Sequence, residues 1–225
     1  MDDTRWIRLS YDLDESSPLA PGVPSMSRTA RSSVAAGDVS NVVDISFCNH
    51  SGTHVDAPLH FAAEGKSITD FDVNEFRFRR PFVLDLALPE GLLVRPEHLR
   101  PHETAIRGCD ILLIRTGFSR LRGTDPERYR LHGPGLSEAA AHYIVQNFRE
   151  LRAIGLDSIS LASMDRLDEG IRAHQVLLGS PRRFLIIEDM NLDFDLSRLM
   201  EVMVFPFMIS GIDGSPCTVV GVLAG

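Results

Sequence analysis

Short apolar runs rich in branched residues punctuate the chain, and they recur more often than helical periodicity does. Ile7–Leu9, Val42–Phe47 ("VVDISF"), Phe82–Leu86 ("FVLDL") and Ile111–Arg115 ("ILLIR") read as strands, the last two as buried ones. Ala153–Leu156, Phe184–Ile187, Glu201–Phe205 and Val219–Leu223 continue the series, and the final run is expected to close the sheet. One helix stands out. Pro134-Gly135-Leu136 leads into Ser137, whose hydroxyl suits an N-cap, and Glu138 lies in the first turn, where the helix dipole favours an acid. Ala141, Ile144, Val145, Phe148 and Leu151 follow at helical spacing. A shorter helix is expected around Gly170–Leu178 and a turn over Ile68–Glu75. Glu15–Ser33, crowded with Ser, Pro and Ala, reads as a loop or lid. Strands outnumber helices and alternate with them irregularly. An α/β fold with a mixed sheet and flanking helices follows, not a doubly wound nucleotide fold. No glycine-rich dinucleotide or P-loop fingerprint occurs.

Composition narrows the function classes. The 225 residues are 44% hydrophobic and 24% charged, which suits one globular domain over residues 1–225. Net charge is −8, from 31 acidic against 23 basic residues. That balance disfavours nucleic acid and anionic membrane, so a small molecule is the expected partner. The N-terminus lacks a basic segment followed by an apolar one, and no apolar run approaches the roughly 18 residues of a membrane span. Cys48, Cys109 and Cys217 are odd in number and widely spaced, as expected of a reducing, cytoplasmic compartment. Cys48, two residues before His50, is read as a core thiol in preference to a ligand.

The chemistry concentrates in "HSGTHVDAPLHF", His50 to Phe61, which holds three of the eight histidines. His50, His54 and Asp56 offer two imidazoles and a carboxylate, a donor set that suits Zn²⁺ and also Mn²⁺ or Fe²⁺. Three protein ligands with one open position is the pattern of a catalytic site. In an extended strand His50 and His54 would lie ~13 Å apart at ~3.3 Å per residue, too far for one ion. Gly52 and Pro58 exclude a regular helix. The chain must therefore reverse at Ser51-Gly52-Thr53, with Gly52 supplying a conformation closed to other residues. His60 is either a fourth ligand or an unligated acid/base. Distant residues are needed to close the site. His174 ("RAHQVLLG") and Glu188 ("FLIIEDMNL") are candidates, with Asp189 a rival to Glu188. Pattern alone would make His174 a core or surface histidine.

These residues resemble the signature of the metal-dependent cyclase family, whose members include bacterial kynurenine formamidases and isatin hydrolases. His50, Gly52, Thr53, His54, Asp56, Pro58, His60 and Phe61 meet every fixed position of its pattern. The likeness runs on through "LSYDLDESSPLAPGVP", "CDILLIRTGF", "HGPGLSEAAAHYI", "AIGLDSISL", "HQVLL", "IIEDMNL" and "FPFMISGIDGSPCTVV". It implies a swivelling β/β/α fold, homodimers or homotetramers, and one or two divalent ions, zinc in the formamidases, with manganese as the alternative. It implies a first metal site of His50, His54 and Asp56. A second would be bridged by Asp56 and completed by His174 and Glu188, with His60 as general acid/base. The activity implied is metal-assisted hydrolysis of a small amide, formamide or lactam. Lactone or ester hydrolysis, carbonyl cyclisation or dehydration, and non-catalytic binding are the alternatives on the same site. Two departures fall where the pocket is expected. Ala20-Pro21-Gly22-Val23 replaces an aromatic and a Pro-Gly-Asp, and Leu161 stands at a second aspartate, with Asp165 four residues on.

Overall fold

Four of the apolar runs pair in parallel. Pro81–Asp85 lies beside Ile111–Arg115, that strand beside Ala153–Leu156, and this one beside Leu185–Glu188. The computed structural model, which describes residues 4–225, accounts for their lack of polar alternation. Leu112, Ile114, Ile154 and Ile186 enter one apolar cluster, while Ile111, Leu113, Ala153, Leu185 and Ile187 enter another. Side chains alternate along a strand, so a strand covered on both faces needs an apolar residue at every position. The helices Glu138–Asn147 and Leu167–Leu178 cover the first face through Ala140, Ala141, Ile144, Ala173, Leu177 and Leu178.

The parallel block is half of a nine-stranded mixed sheet. Its other half is antiparallel: Arg77–Phe78, Leu199–Pro206 and Gly214–Leu223, with Arg5–Arg8 paired to the last of these. The run expected to close the sheet is thus an interior strand of ten residues. The strand His54–Asp56 joins the two halves. It runs antiparallel to Leu185–Glu188 on one side and to Gly214–Leu223 on the other. Sequence expects only a turn before these residues, because a three-residue strand with two polar side chains has no apolar alternation to read.

Glu15–Ser33 is not a loop throughout. Ser27–Ser32 pairs with Val42–Ser46 in an exposed two-stranded ribbon outside the main sheet. "SRTARS" has no buried face, so backbone pairing alone makes it a strand. The capped helix begins as expected, with the Ser137 hydroxyl accepting from the Ala140 N–H at 3.1 Å. It stops at Asn147, short of the apolar positions Phe148 and Leu151, which remain fully buried. There the Arg182 guanidinium donates to the carbonyls of Val145 and Phe148, groups left open at a helix C-terminus. The turn over Ile68–Glu75 resolves into two short 3₁₀ turns, Ile68–Asp70 and Val73–Phe76.

Candidate metal centre

The chain reverses at Ser51-Gly52-Thr53, and Gly52 takes φ +62°, a left-handed conformation that glycine adopts without strain. The reversal delivers His54 and Asp56 to the sheet centre. Residues two apart share a face of a strand. Register sets His54 opposite Glu188 and Asp56 opposite Gly214.

Two groups of potential ligand atoms result, each within 4.8 Å: His50, Asp56 and His60, and His54, Asp56 and Glu188. Asp56 belongs to both. This grouping differs from the division implied by resemblance, which set His54 with His50. His174 meets Glu188 instead, its Nε2 lying 3.1 Å from Oε1. All six predicted site residues therefore gather in one place, although they come from a turn, two strands and a helix. Cys48 lines the adjoining cavity but belongs to neither group.

The rings are oriented by their far nitrogens. His54 Nδ1 donates to the Gly52 carbonyl at 2.8 Å, and His174 Nδ1 donates to the Gly170 carbonyl at 2.8 Å. A carbonyl only accepts, so in each neutral ring the proton sits on Nδ1 and Nε2 keeps its lone pair toward the site. Outer partners of this kind fix both the tautomer and the aim of a metal-ligating histidine. His54 Nε2 lies 3.4 Å from both Asp56 Oδ1 and Glu188 Oε2.

Burial opposes charge on His54, yet Asp56 and then Glu188 outweigh it and raise the imidazolium pKa to about 10. Burial also works against the Asp56 carboxylate, but His54 and His50 hold it well below the usual range. Glu188 is held down against burial, first by the hydrogen bond with His174. Two buried carboxylates thus create a spot that rewards positive charge. Asp56 Oδ2 is buried and has no hydrogen-bond partner among the described residues. A buried anionic oxygen without a partner is costly, and a cation beside it offsets that cost. The donor set, its tautomers and this orphaned oxygen all fit a divalent ion.

Sequence reasoning passes over Asp213, which lies in the quoted "GIDGSP" stretch. Its Oδ2 is 2.6 Å from His60 Nδ1 and 3.1 Å from His50 Nε2, and Asn49 Nδ2 donates to its Oδ1 at 2.7 Å. The signal that pointed to it was its place in that family-like stretch, directly before Gly214 at the start of the last strand. Gly214 beside it is equally required. A Cβ there would stand 2.5 Å from His50 Cε1. Gly214→Ala is expected to displace the His50 ring and lower metal content while the protein stays folded; elemental analysis beside circular dichroism checks this, and full occupancy would refute it.

Leu161, at the position of the missing aspartate, meets the site through its backbone. Its N–H donates to Glu188 Oε1, as does the Ser160 hydroxyl at 3.0 Å. Asp165 instead faces His132 at the surface. Asp189 is not a rival ligand. Its carboxylate is fully buried and takes the Arg122 guanidinium at 2.8 Å and the Tyr129 hydroxyl at 2.6 Å.

Residues 7–163 match the sequence model of the family named Cyclase. The chain belongs to the Cyclase family. Within it, the chain is 33% identical over 213 residues to a kynurenine formamidase of Geobacillus thermodenitrificans, covering 94% of each protein. Among solved structures, isatin hydrolase A from Labrenzia aggregata superposes with a TM-score of 0.82 at 21% identity, over 99% of this chain and 94% of that one. A predicted metal-dependent hydrolase from Bacillus stearothermophilus superposes at 0.74 and 20% identity, over 97% of this chain and 98% of that one. These structures share the fold of the cyclase-family chain.

Proposed function

We propose that this protein is a metal-dependent hydrolase that cleaves the C–N bond of a small formamide, amide or lactam. The observation that carries the reading is Asp56, shared by two ligand groups at the sheet centre with one oxygen left unpartnered. The activities named for the formamidase and isatin hydrolase relatives point the same way. Asp56, His50, His54, Glu188 and His174 would hold one or two ions. Zinc suits this mixture of imidazole and carboxylate best, and manganese accepts the same donors. Bound there, a divalent ion supplies Lewis acidity toward water and toward a carbonyl oxygen.

His60 moves the proton. The Asp213 carboxylate occupies Nδ1, and no protein group among the described residues bonds to Nε2. A carboxylate accepts, so Nδ1 carries the proton and the neutral ring keeps a lone pair on Nε2. That nitrogen takes a proton from water as the water adds to the carbonyl carbon. It returns the proton to the departing nitrogen as the C–N bond breaks. His60→Ala is expected to keep its metal and lose turnover by ~10²–10⁴-fold, the usual weight of general acid–base catalysis. Metal analysis and a formamide hydrolysis assay on the same preparation test both halves. Loss of metal would make His60 a ligand, and full turnover would remove it from the mechanism.

The partner we propose is a second copy of this chain. Ile45 on the ribbon, with Phe205 and Phe207, is exposed and lines one shared groove. Contiguous exposed apolar surface marks an interaction site. Light scattering is expected to give a dimer or tetramer of the 24.9 kDa chain, and a monomer at micromolar concentration would refute this. Among the described residues no helix is long and apolar enough to cross a membrane.

A further inference from the structure

Beside the histidines lies a cavity of about 250 Å³. His50, His54, His60, His174 and Glu188 form its floor. Its walls are Ala20, Val23, Phe61, Met164, Leu167 and Ile171. Leu167, Ile171 and His174 fall at i, i+4 and i+7 of the helix Leu167–Leu178, so one helix face carries both the apolar wall and a floor histidine. Leu167 is 46% exposed and forms part of the cavity rim. Among the described residues lining the cavity there is no lysine or arginine. The one carboxylate among the described lining residues, Glu188, already accepts from His174, Ser160 and the Leu161 N–H.

From this lining we infer that the part of the substrate carried beyond the scissile amide is uncharged and apolar, and that an amino-acid zwitterion is discriminated against. The inference rests on the amide-hydrolase reading. The physical reason is desolvation. A charge moved from water to an apolar wall is tolerated only when the protein supplies a counter-charge or hydrogen bonds. Ser160, the one hydroxyl in the lining, is already engaged with Glu188 and the Ala162 N–H, so the walls supply no counter-charge and no free hydroxyl, whereas an aryl or alkyl group gains from burial there. The cavity is also small beside the ~300–1,000 Å³ of typical ligand pockets, so a single ring with a short substituent is the size it takes.

The test compares two formamides that differ only in the tail. N-formylkynurenine carries an α-amino acid, and N-(2-acetylphenyl)formamide is the same molecule with a methyl group in its place. With the metal-loaded enzyme, kcat/KM is expected to be at least about 100-fold higher for the neutral compound. Equal rates, or faster turnover of N-formylkynurenine, would overturn the inference. Calorimetric binding of the two amine products, 2-aminoacetophenone and kynurenine, separates the inference from the reading beneath it. Tighter binding of the neutral amine with no hydrolysis of either formamide would refute the amide-hydrolase reading and leave the pocket assignment standing. Equal binding would refute the pocket assignment. Val23→Arg places a cation in the wall and is expected to narrow the gap in kcat/KM by about tenfold or more. An unchanged gap would show that wall charge does not set the preference.

Discussion

Asp56→Ala is expected to lose its metal and to lower kcat/KM by more than about 100-fold. Removing an outer partner of a metal ligand typically costs 10–100-fold in affinity or activity, and Asp56 stands closer to the centre than any such partner. It is the one residue common to both ligand groups. Its Oδ1 holds His50 Nδ1 at 2.9 Å, and its Oδ2 is the unpartnered oxygen. Without it, His50 loses its partner on that side and His54 Nε2 retains only Glu188. The fold itself should survive. Asp56 pairs through its backbone with Ile186 and Gly214, and alanine keeps those bonds. Elemental analysis after dialysis, with thermal unfolding as the control, decides the matter. A folded variant carrying stoichiometric metal would sink the assignment of Asp56 as a ligand.

Asp189→Ala is expected to destabilise the protein by about 3–5 kcal/mol, the usual cost of removing one partner of a buried pair. Asp189 is fully buried, and the Arg122 side chain is 12% exposed. The guanidinium also stacks over the Tyr11 ring at 4.0 Å. Truncation would leave Arg122 and the Tyr129 hydroxyl without their acceptor. Asp189 also holds φ +52°, the one non-glycine residue with positive φ among those described. Aspartate tolerates that region better than alanine does. Its carbonyl accepts from the Thr53 hydroxyl at 2.6 Å, and it directly follows Glu188. The Arg122–Asp189–Tyr129 cluster therefore braces the turn before His54 and the end of the Glu188 strand together. Denaturant unfolding measures the loss. The double variant Asp189→Ala/Arg122→Leu should recover part of it, because removing both charges costs less than stranding one. A single-variant loss below about 1 kcal/mol would show that the pair carries little.

The local elements were legible wherever one residue type dictates one conformation. Ser137 marked the start of its helix because a hydroxyl at that position satisfies an open N–H. "ILLIR" marked a buried strand because continuous apolar character has few other uses. Gly52 marked the reversal because the metal-ligand geometry demanded one there and glycine permits it. The end of that helix was not legible, since the residue that intercepts its last carbonyls, Arg182, lies far along the chain. Nor was the exposed ribbon, whose strand Ser27–Ser32 carries no apolar face.

By itself the sequence determined the donor atoms. "HSGTHVDAPLHF" holds the imidazoles and the carboxylate, and its glycine and proline forbid the regular elements that would keep them apart. Family resemblance extended that set to His174 and Glu188. Only the tertiary structure decided how they are grouped. Strand register, set by backbone pairing between segments more than a hundred residues apart, placed His54 against Glu188 and Asp56 against Gly214. It brought Asp213 to His60, an acid whose role depends on a partner 153 positions away. It also built an apolar wall from Ala20, Val23 and one face of the Leu167–Leu178 helix. Local chemistry is written in adjacent residues because bonding geometry is short-ranged. Long-range pairing is not, because many registers satisfy the same local pattern and only the packed core selects one.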